Sequence, residues 1–578
     1  MSQSLLFELT PEHDPEEQSP EVWMEQAAEQ LEIPVSEIEA VVLKRVSLDA
    51  RARHMLWRVE AEVYRKGEDV PAPPSEEPPR YAPAAEDAPH VLIVGSGPAG
   101  LFAAMELIAQ GVKVTVLERG KDIQARRRDI AELNRGNGTD PESNYAFGEG
   151  GAGTFSDGKL YTRSSKRGNV RAILEMLVAH GAPQRILSAW RPHIGSNLLP
   201  KVVEALSETI RSAGSKVRFD ARVDALLTTG EGEDKRTIGV RLADGSELEG
   251  DAVILATGHS ALDVLQFAQE AGATLEAKGF AMGLRAEHPQ EWLDDVQYRG
   301  AREEAGLPAS FYELNAQVHE RGVFSFCMCP GGWIVPSQTT PDTIVVNGMS
   351  LSKRDSAFAN SGIVVAIEPK DWCGKRGWRW GWHELLQRAA AVSDHPMLHE
   401  VIEDPRGGEP FPVAEGRLPI HPDIDPLYGV RLQLALEVLA AHAGGGDNKA
   451  PSQRCDLFAQ GSSEAGEALP TSYLPGLTPT DLGAMMPKGM TNRLREAMGE
   501  FEEKLPGFAS SHGQFVGVET RTSSPVRIVR DHETLESNTL GSLYPCGEGA
   551  GYAGGIVSAA LDGVQVANKI LAQIAVQP

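Results

Sequence analysis

Glycines at the spacing G-x-G-x-x-G stand where an apolar run gives way to a helical pattern: Gly95, Gly97 and Gly100. The first permits a tight turn, the second lets the backbone approach a pyrophosphate, and the third allows close packing of helix on strand. Pro98 and Ala99 begin the helix, whose N-terminus favours an anion. Glu118 ends the next strand 23 residues after the first glycine, where a carboxylate accepts hydrogen bonds from ribose hydroxyls. The pattern predicts a dinucleotide site.

Two later segments favour FAD as that dinucleotide. An apolar strand ends at Thr257 and Gly258, as in FAD folds of the reductase type. More than 400 residues after the first motif, a strand is followed by the glycine-rich start of an amphipathic helix. Its candidate flavin and pyrophosphate contacts are Gly547, Glu548, Gly549, Gly555 and Ile556. Because an NAD-only Rossmann domain closes within one contiguous segment, this split favours FAD.

The run GEGGAGTFSDGK (148–159) is too rich in glycine for a regular element. Gly150 and Gly151 would allow a flat ring to approach closely, and Lys159 would bring a polar group beside it. The alternative is a surface loop without a function.

The segment FSFCMC (324–329) alternates like a strand. Phe324, Phe326 and Met328 are predicted to face the core, while Cys327 and Cys329 share the other face. The two thiols are either inert and buried or a redox pair, and a disulfide between them would lie at the strained end of what the bond accepts. Two cysteines are too few for a zinc site, and we predict no metal.

Two further side chains are candidates for catalysis. Arg521 lies among hydroxyl residues shortly before the flavin helix, where its guanidinium would hold a substrate carboxylate or phosphate, or pair with a core carboxylate. His259 follows the Ala-Thr-Gly strand and is either an acid/base group or a structural histidine.

Composition shifts divide the chain. Residues 71–87 are rich in Pro, Glu and Ala and predict a linker after a small α+β module at 1–70. The FAD domain is predicted at 88–265 and 512–578, with an inserted mixed α+β substrate domain at 266–511. We expect no dedicated NAD(P)H domain like that of the disulfide reductases, so NAD(P)H would bind transiently at the flavin face, or the substrate itself would reduce the FAD.

The net charge of −26 disfavours nucleic acid and anionic membranes as partners, although Arg126–Arg128 form a local basic run. Five scattered cysteines, an acidic N-terminus and the lack of a long apolar run predict a cytoplasmic protein. The expected partner is a small-molecule substrate, and the oligomeric state is left open.

The sequence resembles the bacterial FAD-dependent dehydrogenases known as NAD(FAD)-utilising dehydrogenases, over nearly its whole length. The segments that carry the resemblance are 148–160, 324–332, 347–350, 518–528 and 547–558. The resemblance implies an α/β fold with a discontinuous glutathione-reductase-type, Rossmann-like FAD domain. It also implies FAD contacts at Gly95, Gly97, Gly100, Glu118, Arg119, Gly549 and Ile556, and a backbone contact to adenine at Val223.

We therefore predict an FAD-dependent oxidoreductase, a dehydrogenase or reductase with the flavin as hydride carrier. The alternatives are a flavoprotein of RNA modification, which the net charge disfavours, and a flavin-binding protein without turnover.

Overall fold

The computed structural model describes residues 2–50, 55–162, 167–303 and 306–574. The N-terminal region has strands and a helix in the order β1 (Gln3–Leu9), α1 (Pro20–Leu31), β2 (Ile38–Asp49) and β3 (Leu56–Arg65). The strands form an antiparallel sheet in the order β1-β3-β2. Trp23 of α1 packs with Phe7 and Val59 in a small core of its own. No helix or strand occurs at residues 66–89, all of which are described.

The next region contains β4 (His90–Val94), α2 (Pro98–Ala109), β5 (Lys113–Leu117), α3 (Ile123–Asn134), α4 (Val170–Ala179), α5 (Leu199–Ser212), β6 (Lys216–Arg218), β7 (Val223–Thr229), β8 (Arg236–Leu242), β9 (Glu247–Glu249), β10 (Ala252–Leu255), α6 (Leu262–Ala271) and β11 (Leu275–Ala277). β7, β8 and β9 form a separate antiparallel sheet. The apolar runs of β4 and β10 are almost wholly buried, as expected of strands in the middle of a parallel sheet.

The middle region contains β12 (Phe280–Pro289), α7 (Gln290–Tyr298), β13 (Asn315–Val318), β14 (Arg321–Cys329), β15 (Gly332–Pro336), β16 (Val346–Ser350), β17 (Phe358–Ile367), α8 (Gly374–Trp380), α9 (Trp382–Ala390), α10 (Pro396–His399), β18 (Val401–Ile402), β19 (Phe411–Pro412), α11 (Tyr428–Gly444), β20 (Ala450–Arg454), α12 (Cys455–Gln460), β21 (Leu477–Pro479), α13 (Leu482–Met485), α14 (Lys488–Lys504) and β22 (Gln514–Glu519). The chain ends with β23 (Val526–Ile528), β24 (Leu543–Pro545) and α15 (Ile556–Ile574).

A five-stranded parallel sheet joins distant parts of the chain, in the order β24-β10-β4-β5-β6. Its edge strand β24 comes from the C-terminal region and pairs with β10, so the chain returns to this sheet after the middle region. Helices α2 and α15 pack so closely that a Cβ at Gly563 would clash with the carbonyl oxygen of Ala99. The result is a mixed α/β protein.

A seven-stranded sheet forms the centre of the middle region, in the order β13-β14-β17-β12-β22-β20-β21. Its strand β22 pairs with β12 and β20. The boundary predicted at residue 512 therefore differs from the structure, because residues 514–519 belong to this sheet and the return to the parallel sheet follows them. Periodicity did not distinguish the two sheets, since strands of both are fully buried.

None of the helices in the described ranges is long and apolar enough to cross a membrane.

Candidate functional site

A cavity of about 870 Å³ lies at the carboxyl ends of β4, β5 and β10, where Val94, Leu117 and Ala256 line it. Residues of β14 and β16, Phe326, Cys327 and Asn347, also line it. Ligands of open parallel sheets bind at this edge, and the volume suits a large organic ligand.

The first glycine motif forms one end of this cavity, which we call the motif end (Gly95–Gly100). Gly95 has φ +106°, and a Cβ there would clash with the carbonyl oxygen of Ala256. A Cβ at Gly100 would clash with the carbonyl oxygen of Gly95, so α2 packs on β4 only with glycine here. Gly97 caps α2 and has no heavy atom within 4 Å of an added Cβ, so it faces open space. Each glycine thus has the geometry that its place in the motif requires.

A second helix begins at the same cavity. Gly555 and Ile556 line it at the start of α15, as Pro98 and Ala99 do at the start of α2. Two helix N-termini therefore direct backbone N–H groups and positive dipole ends at one space, an arrangement that suits a pyrophosphate.

The cavity is also cationic in an acidic protein. Among its described lining residues, the positively charged ones are Arg119, Lys159, Arg167, Arg222, Lys278, Arg521 and Arg527, and the carboxylates are Glu118, Asp157 and Glu548. This excess of cations matches a ligand that carries a pyrophosphate. The residues present therefore fit FAD.

Glu118 is buried and already has four hydrogen-bond donors on its carboxylate. Oε2 accepts from Ser96 N at 3.0 Å and Ser96 Oγ at 2.7 Å, while Oε1 accepts from Gly120 N and Gly148 N, both at 3.0 Å. These donors use the acceptor sites that a carboxylate offers. Glu118 thus ties the glycine motif to the loop at 148–159, and a ribose hydroxyl would bind to it only by displacing one of them. Its contact with ribose stays a prediction.

The glycine-rich loop at 148–159 is partly buried and is held by Arg126. This fully buried guanidinium donates to the carbonyl oxygens of Asn144, Tyr145, Glu149 and Gly151 at 2.8–3.0 Å. Burial lowers its pKa to about 10. The expectation of a basic surface run at Arg126–Arg128 was therefore wrong for Arg126, because a side chain that serves the loop lies inside the protein.

The wall near Arg119 is fixed by ion pairs. Its guanidinium contacts Glu142 at 2.7 Å and Asp263 at 2.9 Å and lies 4.3 Å from the ring centroid of Phe147. Val223 lines the same wall. Both predicted contacts therefore reach the cavity, and their roles toward adenine stay predictions.

Thr257, Gly258, His259 and Glu548 form another part of the lining. His259 Nδ1 lies 3.3 Å from Glu548 Oε1, and its side chain is 14% exposed. A histidine in this pair retains access to the cavity, so both of its predicted roles remain open.

A second part of the cavity lining lies around Lys159. Its Nζ lies 2.7 Å from Asp157 Oδ2, 3.6 Å from Cys327 Sγ and 3.2 Å from Cys329 Sγ. Asp157 also accepts from Ser350 Oγ at 2.6 Å and from Arg354 at 3.0 Å. We call these residues, with Arg285 and Glu519 behind them, the polar end.

Arg521 lines the cavity, but its guanidinium is already paired. Nη2 lies 2.8 Å from Glu437 Oε2 and Nε 3.1 Å from Oε1, while Nη1 donates to Thr339. Glu437 is 2% exposed. The geometry favours the structural ion pair over the substrate anchor.

The alternation predicted for β14 fails after Phe326. Cys327 has φ +46°, and the register with β17 shifts between Phe326 and Cys329. As a result Phe326 and Cys327, neighbours in sequence, both line the cavity, while Cys329 is fully buried. Period-2 reasoning assumes a regular strand, and a β-bulge breaks it.

Several predicted contacts lie behind the cavity wall: Gly100, Gly150, Gly547, Gly549 and Cys329. Gly549 is needed because a Cβ would clash with the carbonyl oxygen of Gly258, and Gly547 N donates to Asp562 at 2.8 Å. These glycines shape the wall rather than line it.

Sequence reasoning missed Arg126, Arg285, Arg354 and Glu519, which contact the site from distant segments. The N-G-M-S run at 347–350 was a signal in the sequence that pointed to this part of the site. The structure shows why it contains a glycine, because a Cβ at Gly348 would meet Arg285, Asn360 and Cys329. Within the described part of the chain, no group of three or more His, Cys, Asp or Glu side chains is arranged to hold a metal ion.

The parallel sheet and its two-helix cavity define a dinucleotide-binding α/β protein. Residues 89–262 match the family model for an FAD binding domain, and residues 279–383 and 417–522 match the C-terminal-domain-like model of FAD-dependent proteins. Residues 1–64 match a domain of unknown function. An uncharacterized protein of Clostridium beijerinckii is 36% identical over 484 residues, covering 83% of this chain and 80% of that protein. The chain belongs to the same family of FAD-dependent proteins, and its cofactor is FAD.

Solved structures with weak similarity include CtdE in complex with FAD, at 12% identity, 84% coverage of this chain, 90% of that chain and a TM-score of 0.28. Native FqzB is 16% identical, with 51% of this chain and 55% of that chain covered and a TM-score of 0.23, so the match spans about half of FqzB. These scores are too low to support a statement about this chain.

Proposed function

We propose that this protein is an FAD-dependent oxidoreductase of the dehydrogenase or reductase type that acts on a small organic substrate. One observation carries the proposal: a single cavity connects the motif end, which fits a pyrophosphate, to the polar end, where Lys159 and Cys327 face the same space. A protein that only stored flavin would not need charged and nucleophilic side chains there.

The proposal includes the architecture of a glutathione-reductase-type FAD domain. It would comprise residues 88–265 and the C-terminal segment that supplies β24 and α15, with the region around the seven-stranded sheet as the substrate domain. In support, the parallel sheet is completed by β24 from the far end of the chain. The cytoplasmic location stays a prediction.

Bound FAD supplies a two-electron, hydride-accepting group. The chain positions it through Gly97, the two helix N-termini and the walls around Arg119. Lys159, one-third exposed, would hold an anionic group of the substrate at the polar end, because Asp157 beside it raises its pKa and keeps it charged.

The source of electrons depends on whether the protein has a separate site for a nicotinamide cofactor. The runs at 148–153 and 549–554 also have the spacing G-x-G-x-x-G, but residues of both line the same cavity as the motif between β4 and α2, so they do not supply a separate nicotinamide site. We propose that NAD(P)H, if used, binds transiently in this same cavity, or that the substrate reduces the flavin directly.

The test begins with the cofactor and then asks for turnover. Denatured protein should release FAD, and anaerobic mixing with NADH, NADPH or a panel of small organic acids should bleach the visible flavin band with at least one donor. Admitting a quinone or ferricyanide should then restore it. Recovery of FMN would contradict the cofactor. A flavin that none of these donors reduces would favour the non-catalytic alternative.

A further inference from the structure

Two cysteines of β14 share one lysine at the polar end. Although β14 is irregular at Cys327, the sulfurs of Cys327 and Cys329 lie 3.6 Å and 3.2 Å from Lys159 Nζ. Cys327 lines the FAD cavity, while Cys329 is fully buried behind it and donates to the carbonyl oxygen of Cys327 at 3.3 Å. The sulfur of Cys327 therefore faces the cofactor cavity, and the sulfur of Cys329 is buried behind it.

The backbone holds this pair in an unusual conformation. Cys327 has φ +46°, a left-handed conformation that is strained for a non-glycine residue and persists where the surroundings impose it. Behind it, a Cβ at Gly332 would lie 2.9 Å from Cys329 Cβ, and a Cβ at Gly348 would lie 2.9 Å from Cys329 Sγ. The glycines of two neighbouring strands thus leave just enough room for the buried sulfur.

The charged side chains around the pair include one more cation than carboxylates, although the cations Lys159 and Arg354 are partly exposed. Lys159, Arg285 and Arg354 are cationic, whereas Asp157 and Glu519 are the carboxylates paired with them. Arg285 lies 2.8 Å from Glu519 and also donates to the carbonyl oxygen of Cys327. A thiolate on Cys327 would supply the missing negative charge.

The pKa shifts agree with this balance. A hydrogen bond from Cys329, and then the charges of Lys159 and Arg285, lower the pKa of Cys327 well below that of an ordinary thiol. The same pairing, with burial, raises the pKa of Cys329. The other described cysteines differ, because burial raises the pKa of Cys373 to about 12 and also raises the pKa of Cys455 and of Cys546 well above that of an ordinary thiol. Cys327 is the described thiol with a lowered pKa.

We propose that Cys327 and Cys329 are a redox-active dithiol that exchanges two electrons with the bound FAD. The inference rests on the flavin cavity of the proposed function and adds a second redox centre to it. The Cys327 thiolate and the Cys329 thiol form an S–S bond and the thiol proton is released. Oxidised FAD takes up both electrons and one proton.

A regular extended strand would set the Cα atoms of residues two apart about 6.6 Å from each other, near the upper end of the roughly 4.4–6.8 Å that a disulfide spans. The left-handed Cys327 departs from this regular spacing, so the bulge in β14, and not the ideal strand, determines how the two sulfurs meet.

The first test counts electrons in the holoprotein. Anaerobic titration of the oxidised protein with dithionite should consume four electrons per FAD, because flavin and disulfide each take two. Cys327→Ser and Cys329→Ser should each consume two, as should the corresponding alanine variants, while Cys373→Ser should still consume four. FAD content, measured separately, reports on the proposed function, so a protein that holds FAD but consumes only two electrons overturns the dithiol alone.

The second test does not depend on the flavin. In apoprotein treated with iodoacetamide at about pH 6, where a free thiol of pKa about 8.5 hardly reacts, Cys327 should be alkylated and Cys373 should not. Lys159→Met should slow that alkylation roughly tenfold or more by raising the thiol pKa, and Lys159→Arg should largely restore it. Peptide mapping of oxidised protein should show the 327–329 disulfide. Alkylation of Cys327 that rises only above about pH 8, like Cys373, would overturn the assignment.

Discussion

The motif end and the polar end of one cavity are built in opposite ways. The motif end consists of backbone and glycine from a short stretch of chain, and its fit depends on the absence of side chains at Gly95 and Gly100. The polar end consists of side chains from five distant segments, four of which contribute charged groups, and its fit depends on ion pairs such as Arg285–Glu519. The local site is disrupted by a Cβ at Gly95 or Gly100, whereas the distributed site is disrupted by a charge that loses its partner.

The largest expected effect is at the motif end. Gly100→Val should abolish FAD binding, because even a Cβ at this position would clash with the carbonyl oxygen of Gly95 and lie 3.2 Å from the Ile93 side chain. The β-branched residue would force α2 away from β4. FAD per chain, from the visible absorbance and from cofactor released on denaturation, measures the loss.

Gly499→Val is the matched control, since Gly499 is exposed in α14 and nothing lies within 4 Å of an added Cβ. It should keep its FAD. If Gly100→Val remained soluble and yellow, the glycine would not be the close-packing point that the structure shows.

The same contrast explains what could be predicted from sequence. The turn at Gly95, the helix starts at Pro98 and Ile556 and the parallel strands follow from patterns within about 30 residues, because backbone geometry is a local property. The ion pair of Arg521 with Glu437 and the cage around Cys329 join residues far apart in the chain. The sequence near a residue does not show which distant residue it contacts. For Arg521, the sequence therefore allowed both a substrate anchor and a structural ion pair, and only the fold shows that Glu437 is its partner.

Among the charged residues of the cavity, Arg521 should have the clearest effect on the stability of the protein. Arg521→Gln would leave Glu437 buried without its partner, and breaking a buried ion pair costs about 3–5 kcal/mol. We expect the free energy of urea unfolding to fall by about that much. The double variant Arg521→Gln/Glu437→Gln should recover most of the loss. A single variant as stable as the parent, with weakened binding of anionic substrates, would restore the anchoring role.

A smaller, pH-dependent effect on stability is expected beside the polar end, at His193. Burial, followed by the charge of Arg354, lowers the pKa of His193 to about 4 from 6.5. The folded protein therefore binds fewer protons than the unfolded chain between these values, and stability is complete above about pH 6.5 and falls as the pH drops toward 4. His193→Gln should remove up to about 2 kcal/mol of that fall, since partial exposure reduces the effect. Urea unfolding at pH 7 and 4.5 measures it, and exposed His532→Gln should leave the fall unchanged.

The smallest effect on FAD is expected where neither end is touched. A chain that begins at Ala88 should retain one FAD, because the described lining of the cavity begins at Val94. The N-terminal module has its own core and joins the rest through main-chain hydrogen bonds, Val46 N to Ser188 O at 2.8 Å and Trp190 N to Val46 O at 3.0 Å, and through a surface contact of Glu16 with Arg185. Removing it should lower the stability less than Arg521→Gln does.

Arg185 and Arg354 border a separate cavity of about 830 Å³ beneath the module. A truncated chain that is soluble but loses FAD would show that the module supports the polar end through this shared wall, and two regions would no longer be enough to describe the site.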